Sequence, residues 1–386
     1  MRKKLLLTIN SLRSGGAERV VSQLLNHLQN DFEIHLALYN KVIEYDIPAD
    51  VKIIDLKQSE ADNQFLTLLK LPLLSYRLSR YCKRNNIHYS VAFLNRPCYI
   101  NALMRKWWGY KGRVVMCERT HQSTMLQTRS WLTRWITKFL VKYSYANADL
   151  VLANSRAMKT DLEKYLEVKT PIQVLYNPVD LTELNIKMHE PLSYNFDPDT
   201  FYFISVGNFR KEKNYPLLLD AFSTIKKENC KLLLVGSGYM EDLLRKKVEE
   251  LGLQQSVVFL GRDSNPFKYL KHAQCFVMCS DVEGFPNVLL EAIACGKAVI
   301  STDCKSGPRE LLAPNSDINY QLSDKYRIEE FGILSPVNNA PMLGKAMQRL
   351  MENAILRKMF EEKSNSRAIQ FDVSRIKQDF VSAFVG

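Results

Sequence analysis

Short runs of apolar residues alternate along the chain with longer stretches in which apolar positions recur every three or four residues. The runs predict buried strands and the longer stretches predict amphipathic helices; their alternation predicts an α/β protein with parallel sheets. In the first half the strands fall at residues 4–10, 33–39, 90–94, 114–118 and 150–153, with helices such as 16–29 and 131–146 between them. In the second half strands fall at 201–206, 231–235, 257–260, 275–278 and 298–301. Helices near 214–227, 240–251, 287–295 and 342–353 connect them. Residues 176–200 contain Asn177-Pro178, Pro191 and Pro198 and show no clear period, which marks a linker. The pattern divides the chain into a Rossmann-like domain at 1–180, a linker at 181–200 and a second Rossmann-like domain at 201–363. A final helix over 364–384, apolar at Ile369, Phe371, Ile376, Phe380 and Phe384, is free to cross back to the first domain. Two doubly wound domains joined this way should face a cleft at the carboxyl ends of their sheets, where such folds bind ligands.

Composition narrows the class. The 386 residues are 46% apolar and 24% charged, ordinary globular usage that excludes disorder and collagen-like or fibrous repeats. No apolar stretch approaches the roughly 18–20 residues that span a bilayer. The opening Met1-Arg-Lys-Lys-Leu-Leu-Leu-Thr-Ile9 mimics a signal sequence, but its apolar run is short, and it reads as a first buried strand. The eight cysteines include no Cys-x-x-Cys pair and mostly sit in apolar segments, which points to a reduced, cytoplasmic setting without disulfides or zinc. Residues 1–190 hold 28 Lys and Arg against 17 Asp and Glu, so +11 of the total +12 lies in the first half. An anionic surface is the partner such an imbalance suits.

Two motifs carry chemistry. Glu283-Gly-Phe-Pro-Asn-Val-Leu-Leu-Glu291 follows a strand and opens a helix. Pro286 suits the first helical position, leaving the N–H groups of Asn287 and Val288 at a helix start that favours an anion. Two carboxylates would repel that anion, so Glu283 and Glu291 make sense as acceptors for neutral hydroxyls, such as those of a sugar and a ribose. The plainer reading is a helix-start glutamate and a solvent-facing one. The second motif, Val206-Gly-Asn-Phe-Arg-Lys-Glu-Lys-Asn214, places Gly207, Arg210 and Lys213 at a strand's carboxyl end, where a diphosphate would be neutralised. Its plainer reading is a basic surface turn. Gly15 and Gly16 sit between the first strand and the first helix and allow close approach to that helix start, or merely form a tight turn. Val235-Gly-Ser-Gly-Tyr-Met-Glu241 is an incomplete dinucleotide fingerprint, read as a tight strand–helix turn. Asp197-Pro-Asp199 lies in the linker, and no metal site is expected.

Glu-x7-Glu, the Gly…Arg-x-x-Lys loop, Asn177-Pro178-Val179-Asp180 and Ser14-Gly-Gly-Ala-Glu-Arg19 together resemble family 4 retaining glycosyltransferases of GT-B fold. Within that family the chain is most similar to bacterial enzymes that elongate polyprenyl-diphosphate-linked glycans, and the resemblance runs essentially end to end. It implies a nucleotide-sugar donor, UDP-linked, held mainly by the second domain through Gly16, Gly207, Arg210, Lys213, Glu283, Phe285, Pro286, Asn287, Val288 and Glu291. Glu291 would meet the ribose hydroxyls, Glu283 the donor sugar, and Arg210 with Lys213 the diphosphate. Many members carry Arg directly after the glycine; here Asn208 stands there, and Arg210 takes the role. The catalytic set it implies is Glu283, Lys213, Arg210 and His121, with neither cofactor nor metal. His121, in Glu118-Arg-Thr-His121, follows a strand; it meets donor sugar or acceptor phosphate, or is a surface histidine.

The acceptor side falls in the basic half. On a wheel of 131–146, Arg134, Lys138 and Lys142 share a face beside Trp131 and Trp135, while Leu132, Ile136, Phe139, Leu140 and Tyr143 form the arc expected to pack on the domain. With Gly15 and His121, these basic and tryptophan residues are the expected acceptor or membrane contacts. Lys70, Arg77, Arg80 and Arg84 form a second stripe on 65–84, where Pro72 threatens the helix. Met104-Arg-Lys-Trp-Trp-Gly-Tyr110 adds exposed aromatic candidates. The resulting expectation is an enzyme peripheral on the inner face of the cytoplasmic membrane, with a lipid-linked glycan as acceptor. A GT-B sugar-nucleotide epimerase would instead consume donor without acceptor. A nucleic-acid-binding protein would leave Glu283 and Glu291 without a role, and no nucleic-acid partner is expected.

Overall fold

Leu5, Leu6 and Leu7 have no exposed surface, so β1 (Lys3–Ile9) is covered on both faces, as a central parallel strand must be. The computed structural model describes residues 2–13, 15–58, 64–127, 129–225 and 229–386, with the side chains of 64 and 65 left undescribed. Ser14 of the glycine motif therefore lies outside the described residues. The chain packs as two units, one built from Met1–Pro178 with Val373–Gly386 and the other from Val179–Asp372.

In the first unit β1 is joined by β2 (Phe32–Leu38), β3 (Lys52–Asp55), β4 (Tyr89–Phe93), β5 (Arg113–Glu118), β6 (Leu150–Ala153) and β7 (Ile172–Val174). They form one parallel sheet in the order β3-β2-β1-β4-β5-β6-β7. Its crossovers are α1 (Gly16–His27), α2 (Gln64–Asn85), α3 (Asn95–Lys106), α4 (Gln122–Gln127), α5 (Trp131–Ala146) and α6 (Arg156–Lys164). Pro72 does not interrupt α2, because Leu71, Leu74, Leu78 and Cys82 bury one continuous face around it and outweigh a single lost backbone bond.

The second unit repeats the plan with β8 (Phe201–Val206), β9 (Cys230–Val235), β10 (Val257–Gly261), β11 (Cys275–Met278), β12 (Ala298–Thr302), β13 (Arg327–Ile328) and β14 (Ile333–Ser335). The order is β10-β9-β8-β11-β12-β14-β13, and β13 alone runs antiparallel, at the edge. Helices α7 (Leu181–Lys187), α8 (Tyr215–Ser223), α9 (Glu241–Glu250), α10 (Phe267–His272), α11 (Asn287–Ala294), α12 (Pro308–Leu312), α13 (Ala340–Glu352) and α14 (Ala354–Ile369) surround it. In each sheet the strand order reverses beside the first strand, between β1 and β4 and between β8 and β11. Those are the switch points where crevices open.

Two boundaries differ from the expected ones. The segment read as a linker begins with α7, capped by Asp180, whose carboxylate accepts the Glu183 N–H at 2.8 Å. The helix read over 364–384 is two helices, α14 and α15 (Val373–Val385), broken at 370–372. There the Val179 N–H donates to the Phe371 carbonyl at 2.9 Å, and the Leu181 N–H donates to the Asp372 carboxylate at 3.2 Å. Pairing with the 179–181 segment replaces the bonds a continuous helix would make. Beyond the break, Ile376, Phe380, Ala383 and Phe384 of α15 join Leu5, Leu7, Val91 and Val115 in the first unit's core.

Candidate active site

The loops after β8 and β11 flank the second switch point and hold both chemical motifs. Gly207 (φ +154°) opens the first loop, and the loop after β9 lies directly on it: a Cβ on Gly236 would stand 1.9 Å from the Gly207 carbonyl oxygen. A Cβ on Gly238 would lie 2.4 Å from the Phe209 oxygen. Val235-Gly-Ser-Gly thus serves backbone-on-backbone packing, and the Phe209 N–H reaches the Ser237 carbonyl at 2.9 Å.

A 3₁₀ turn at Lys211–Lys213 then ends at Asn214, held left-handed at φ +47°. Asn214 Nδ2 donates to Asp281 at 2.8 Å and to Asn338 at 2.9 Å, while its Oδ1 caps α8. The Asp281 N–H returns to the Glu212 carbonyl at 2.9 Å, and Cys279 Sγ donates to the Lys213 carbonyl at 3.0 Å. These bonds stitch the two loops together and place Lys213 Nζ 2.5 Å from Glu283 Oε1. The side chains are 27% and 10% exposed, so this is not a basic surface turn. Burial pulls the ammonium's pKa down, but the charge and hydrogen bond of Glu283 outweigh it, leaving the pKa above the ordinary lysine value. Lys213 is a fixed cation. Arg210 is exposed, and its guanidinium pairs with none of the described residues.

Pro286 is the cap of α11 and not its first residue (φ −80°, ψ 96°). Its carbonyl accepts the N–H groups of Leu289 and Leu290, so Asn287 and Val288 stand first at the helix start, ahead of any intrahelical acceptor. Ser306 Oγ clamps the Gly284 carbonyl at 2.6 Å and Thr302 Oγ1 the Ser280 carbonyl at 2.6 Å. Gly307, at φ +89°, lies so close that a Cβ would meet Pro286 Cδ at 2.4 Å. The Phe285 ring is buried and packs on Phe371 at 5.7 Å, so it anchors the loop rather than facing a ligand. Glu291, in the second turn of α11, is buried, not solvent-facing.

In the first unit, Gly16 begins α1 and Gly15 caps it in extended backbone that any residue adopts. A Cβ on Gly15 would meet only the flexible end of Glu18, whose Oε2 would stand 2.2 Å away. That carboxylate lies at its own helix start, where the helix dipole favours a negative charge. His121 is buried rather than at the surface; its Nδ1 lies 3.0 Å from Thr124 Oγ1 and 3.3 Å from Ser123 Oγ.

Helix α5 overturns the expected wheel in its first turns only. Trp131 (78% exposed), Leu132 (50%), Trp135 (66%), Ile136 and Phe139 (58%) face solvent, while Leu140 and Tyr143 pack against the core as expected, beside the buried Val141, Ser144 and Tyr145. Its cations are partly engaged instead: Arg134 Nε donates to the Leu126 carbonyl at 3.1 Å, Lys138 lies over Tyr165 at 4.4 Å, and Lys142 pairs with Glu167 at 3.0 Å. Of the aromatic residues in 104–110 only Trp107 is widely exposed, since Tyr110 is buried and Trp108 bonds Ser75.

Asn214, Asp281, Ser306 and Gly307 escaped the sequence reading, although Ser306-Gly307-Pro308 has the turn-and-helix-start signature that would have found the last two. Asp197 closes a local turn, accepting the Asp199 N–H at 3.0 Å and the Thr200 hydroxyl at 3.0 Å. Among the described residues no group of three or more His, Cys, Asp or Glu is placed to hold a metal, and no helix is long and apolar enough to cross a membrane.

Comparison with known proteins now bears on this geometry. Residues 14–183 match the model "Glycosyltransferase Family 4", and residues 189–367 match "Glycosyl transferases group 1". The chain is 37% identical, over the full length of both proteins, to the Campylobacter jejuni N-acetylgalactosamine-N,N'-diacetylbacillosaminyl-diphospho-undecaprenol 4-alpha-N-acetylgalactosaminyltransferase. A second C. jejuni enzyme, an alpha-1,4-N-acetyl-D-galactosaminyltransferase named for a diNAcBac-PP-undecaprenol-linked substrate, is 23% identical over 98% of this chain and 97% of its own. Among solved structures, sucrose-phosphate synthase from Thermosynechococcus elongatus superposes with a TM-score of 0.82 at 18% identity, covering 99% of this chain and 98% of that one. Anabaena HepE, solved with UDP and glucose, gives 0.75 at 18% identity, with coverage of 99% of each chain. Two parallel-sheet domains of GT-B fold, with Lys213 and Glu283 joined at the second switch point, therefore belong to a family 4 glycosyltransferase.

Proposed function

We propose that this enzyme moves a sugar from a UDP-linked donor to a hydroxyl of a polyprenyl-diphosphate-linked glycan, with retention of configuration and without a metal ion. The observation that carries the reading is the Lys213–Glu283 pair beside the start of α11. A fixed cation, the exposed cation Arg210 and the amides of Asn287 and Val288 suit charge building on a departing diphosphate. Glu291 suits the ribose hydroxyls and Glu283 the donor sugar. No protein nucleophile is invoked; the acceptor hydroxyl attacks on the face the diphosphate leaves. The full-length C. jejuni relative, named for a diphospho-undecaprenol-linked substrate, supports the acceptor class, and UDP in the HepE complex supports the donor.

The acceptor's lipid sets the working place. The solvent-facing side chains of Trp131, Leu132, Trp135, Ile136 and Phe139, with Arg134, Lys138 and Lys142 alongside, fit the head-group boundary of an anionic, cytoplasm-facing leaflet. His121 and the Gly15–Gly16 loop belong to the acceptor side in this reading. The test is transfer from a panel of UDP-sugars to a polyprenyl-diphosphate glycan in vesicles, with and without EDTA, and product NMR for the new linkage. An α-linked product from an α-donor, undiminished by EDTA, is expected. Donor consumption that ignores the acceptor, inverted product or abolition by EDTA would each overturn the corresponding part.

A further inference from the structure

The loop after β12 is buried almost end to end, and one side chain leaves it. From Ser301 to Ala313 every residue is buried except Lys305, which is exposed. A buried ion pair closes the loop: Arg309 Nε donates to Asp303 Oδ1 at 3.1 Å, and Arg309 Nη2 donates to Asp303 Oδ2. The Leu322 N–H adds a bond to Asp303 Oδ2 at 2.8 Å. Taking two charges out of water offsets much of what their attraction returns, so such a pair contributes more to geometry than to stability. Here it ties residues six apart and fixes the segment between them. That segment rests on the Glu283 loop, through Ser306 Oγ on the Gly284 carbonyl and through Gly307 against Pro286. Cys304 is buried beside the ion pair of the candidate site: burial and the Glu283 charge raise its thiol pKa, and Lys213 opposes them. Lys305 stands between these two inward residues, and among the described residues its ammonium has no carboxylate partner.

The charge balance gives this lysine a task. Lys213 and Glu283 together carry no net charge, which leaves Arg210 and the α11 amides to meet a diphosphate. A diphosphate carries more than one negative charge, and a reaction without a metal ion must balance it with the protein's own groups. A lysine on a fixed loop supplies a compact charge with three donors on a stem long enough to reach. We propose that Lys305 is a further binding residue for a substrate diphosphate, its ammonium pairing with the phosphate oxygens. Donor and lipid-linked acceptor both carry that group in the reading above, on which this assignment rests. It adds a cation from outside both sequence motifs.

The experiment compares Lys305→Ala, Lys305→Glu and Lys305→Arg with wild type. Calorimetry with UDP, uridine and inorganic pyrophosphate reads the donor side, and KM for a polyprenyl-diphosphate glycan reads the acceptor side. The side chain is exposed, so all three variants should fold. With the donor's diphosphate as partner, UDP and pyrophosphate weaken about tenfold in Lys305→Ala, the scale of one charge-assisted contact, and further in Lys305→Glu. Lys305→Arg then keeps wild-type affinity, and uridine binds all four proteins alike. Unchanged UDP affinity, with acceptor KM raised about tenfold in Lys305→Ala and restored in Lys305→Arg, assigns the lysine to the acceptor's diphosphate. Wild-type UDP affinity together with wild-type acceptor KM in Lys305→Glu overturns the inference, as does a loss of uridine equal to that of UDP. Pyrophosphate keeps the two readings apart: a wild type that binds it through Lys305 but transfers from no UDP-sugar refutes the donor and leaves the lysine's role standing.

Discussion

Lys213 and Glu283 neutralise each other across 2.5 Å, so in the proposed site the donor's diphosphate would meet a cation already oriented. Lys213→Ala should lower turnover roughly 10²–10³-fold, about 2.7–4 kcal/mol, the scale for one preorganised electrostatic partner. Near-normal turnover in the folded variant would take Lys213 out of the mechanism. The two glutamates should separate in calorimetry with UDP. Glu291→Gln, changing the proposed ribose acceptor, should weaken UDP by about tenfold, near the lower end of the 1.5–3 kcal/mol of a hydrogen bond to a charged group. Glu283→Gln should leave UDP affinity undiminished while transfer falls, because its amide oxygen still accepts from Lys213 and one repelling charge is gone. Equal weakening of UDP by both would reverse the assignment. Both motifs were legible because strand–loop–helix punctuation marks a switch-point loop. Their hydrogen bond was not, since 70 residues separate the partners and only the β8–β11 adjacency brings them together.

Buried faces decide what each element can do, and here sequence was an uneven guide. The apolar runs marked the central strands because a strand covered on both sides needs no alternation. Helix α5 misled in its first turns because an apolar arc looks the same in sequence whether it meets a core or stays exposed, and Trp131 and Trp135 were the only local hint. Arg134→Glu with Lys138→Glu should reduce affinity for anionic vesicles at least about tenfold, at about 1 kcal/mol per basic residue. Trp131→Ala with Trp135→Ala should reduce it further and also for neutral vesicles, with UDP affinity unchanged in both. Vesicle pelleting like wild type by the tryptophan variant would move the attachment elsewhere. The link from α5 to β5 is a second test. Burial raises the Glu118 pKa above the ordinary carboxylate value, against the lowering effects of Tyr145, Thr120, Gln122 and Arg119. A raised folded pKa means its stabilising contribution is complete below about 4.5 and fades as pH climbs through the folded value. Tyr145→Phe removes one opposing bond, so it should cost about 1.5–3 kcal/mol at neutral pH and less at pH 4, read as denaturant midpoints. An equal loss at both pH values would mean the carboxylate is not the partner that matters.

At the scale of the whole molecule, two units of similar design differ in how the chain supplies them: the second is a continuous stretch, and the first is closed by α15 after all of Val179–Asp372 has intervened. Ile376, Phe380 and Phe384 are buried with the β1 and β4 side chains, and burying each contributes about 1.5–3 kcal/mol. Deleting 373–386 should therefore remove stability comparable with a domain's entire 5–15 kcal/mol. Limited proteolysis of the deletion protein should degrade the first unit and spare the second; equal resistance of both would show that α15 is dispensable. The linker reading missed this because the break at 370–372 is made by backbone partners from residues 179–181, which no local pattern displays. The same arrangement governs how the chain is born. At about 5–20 residues per second the ribosome needs roughly 10–40 s to pass from Pro178 to Val373. Throughout that interval the apolar slot for α15 stands open beside β4 and β5, so the half of the enzyme made first is the half completed last, and the nascent chain is a natural client for chaperones.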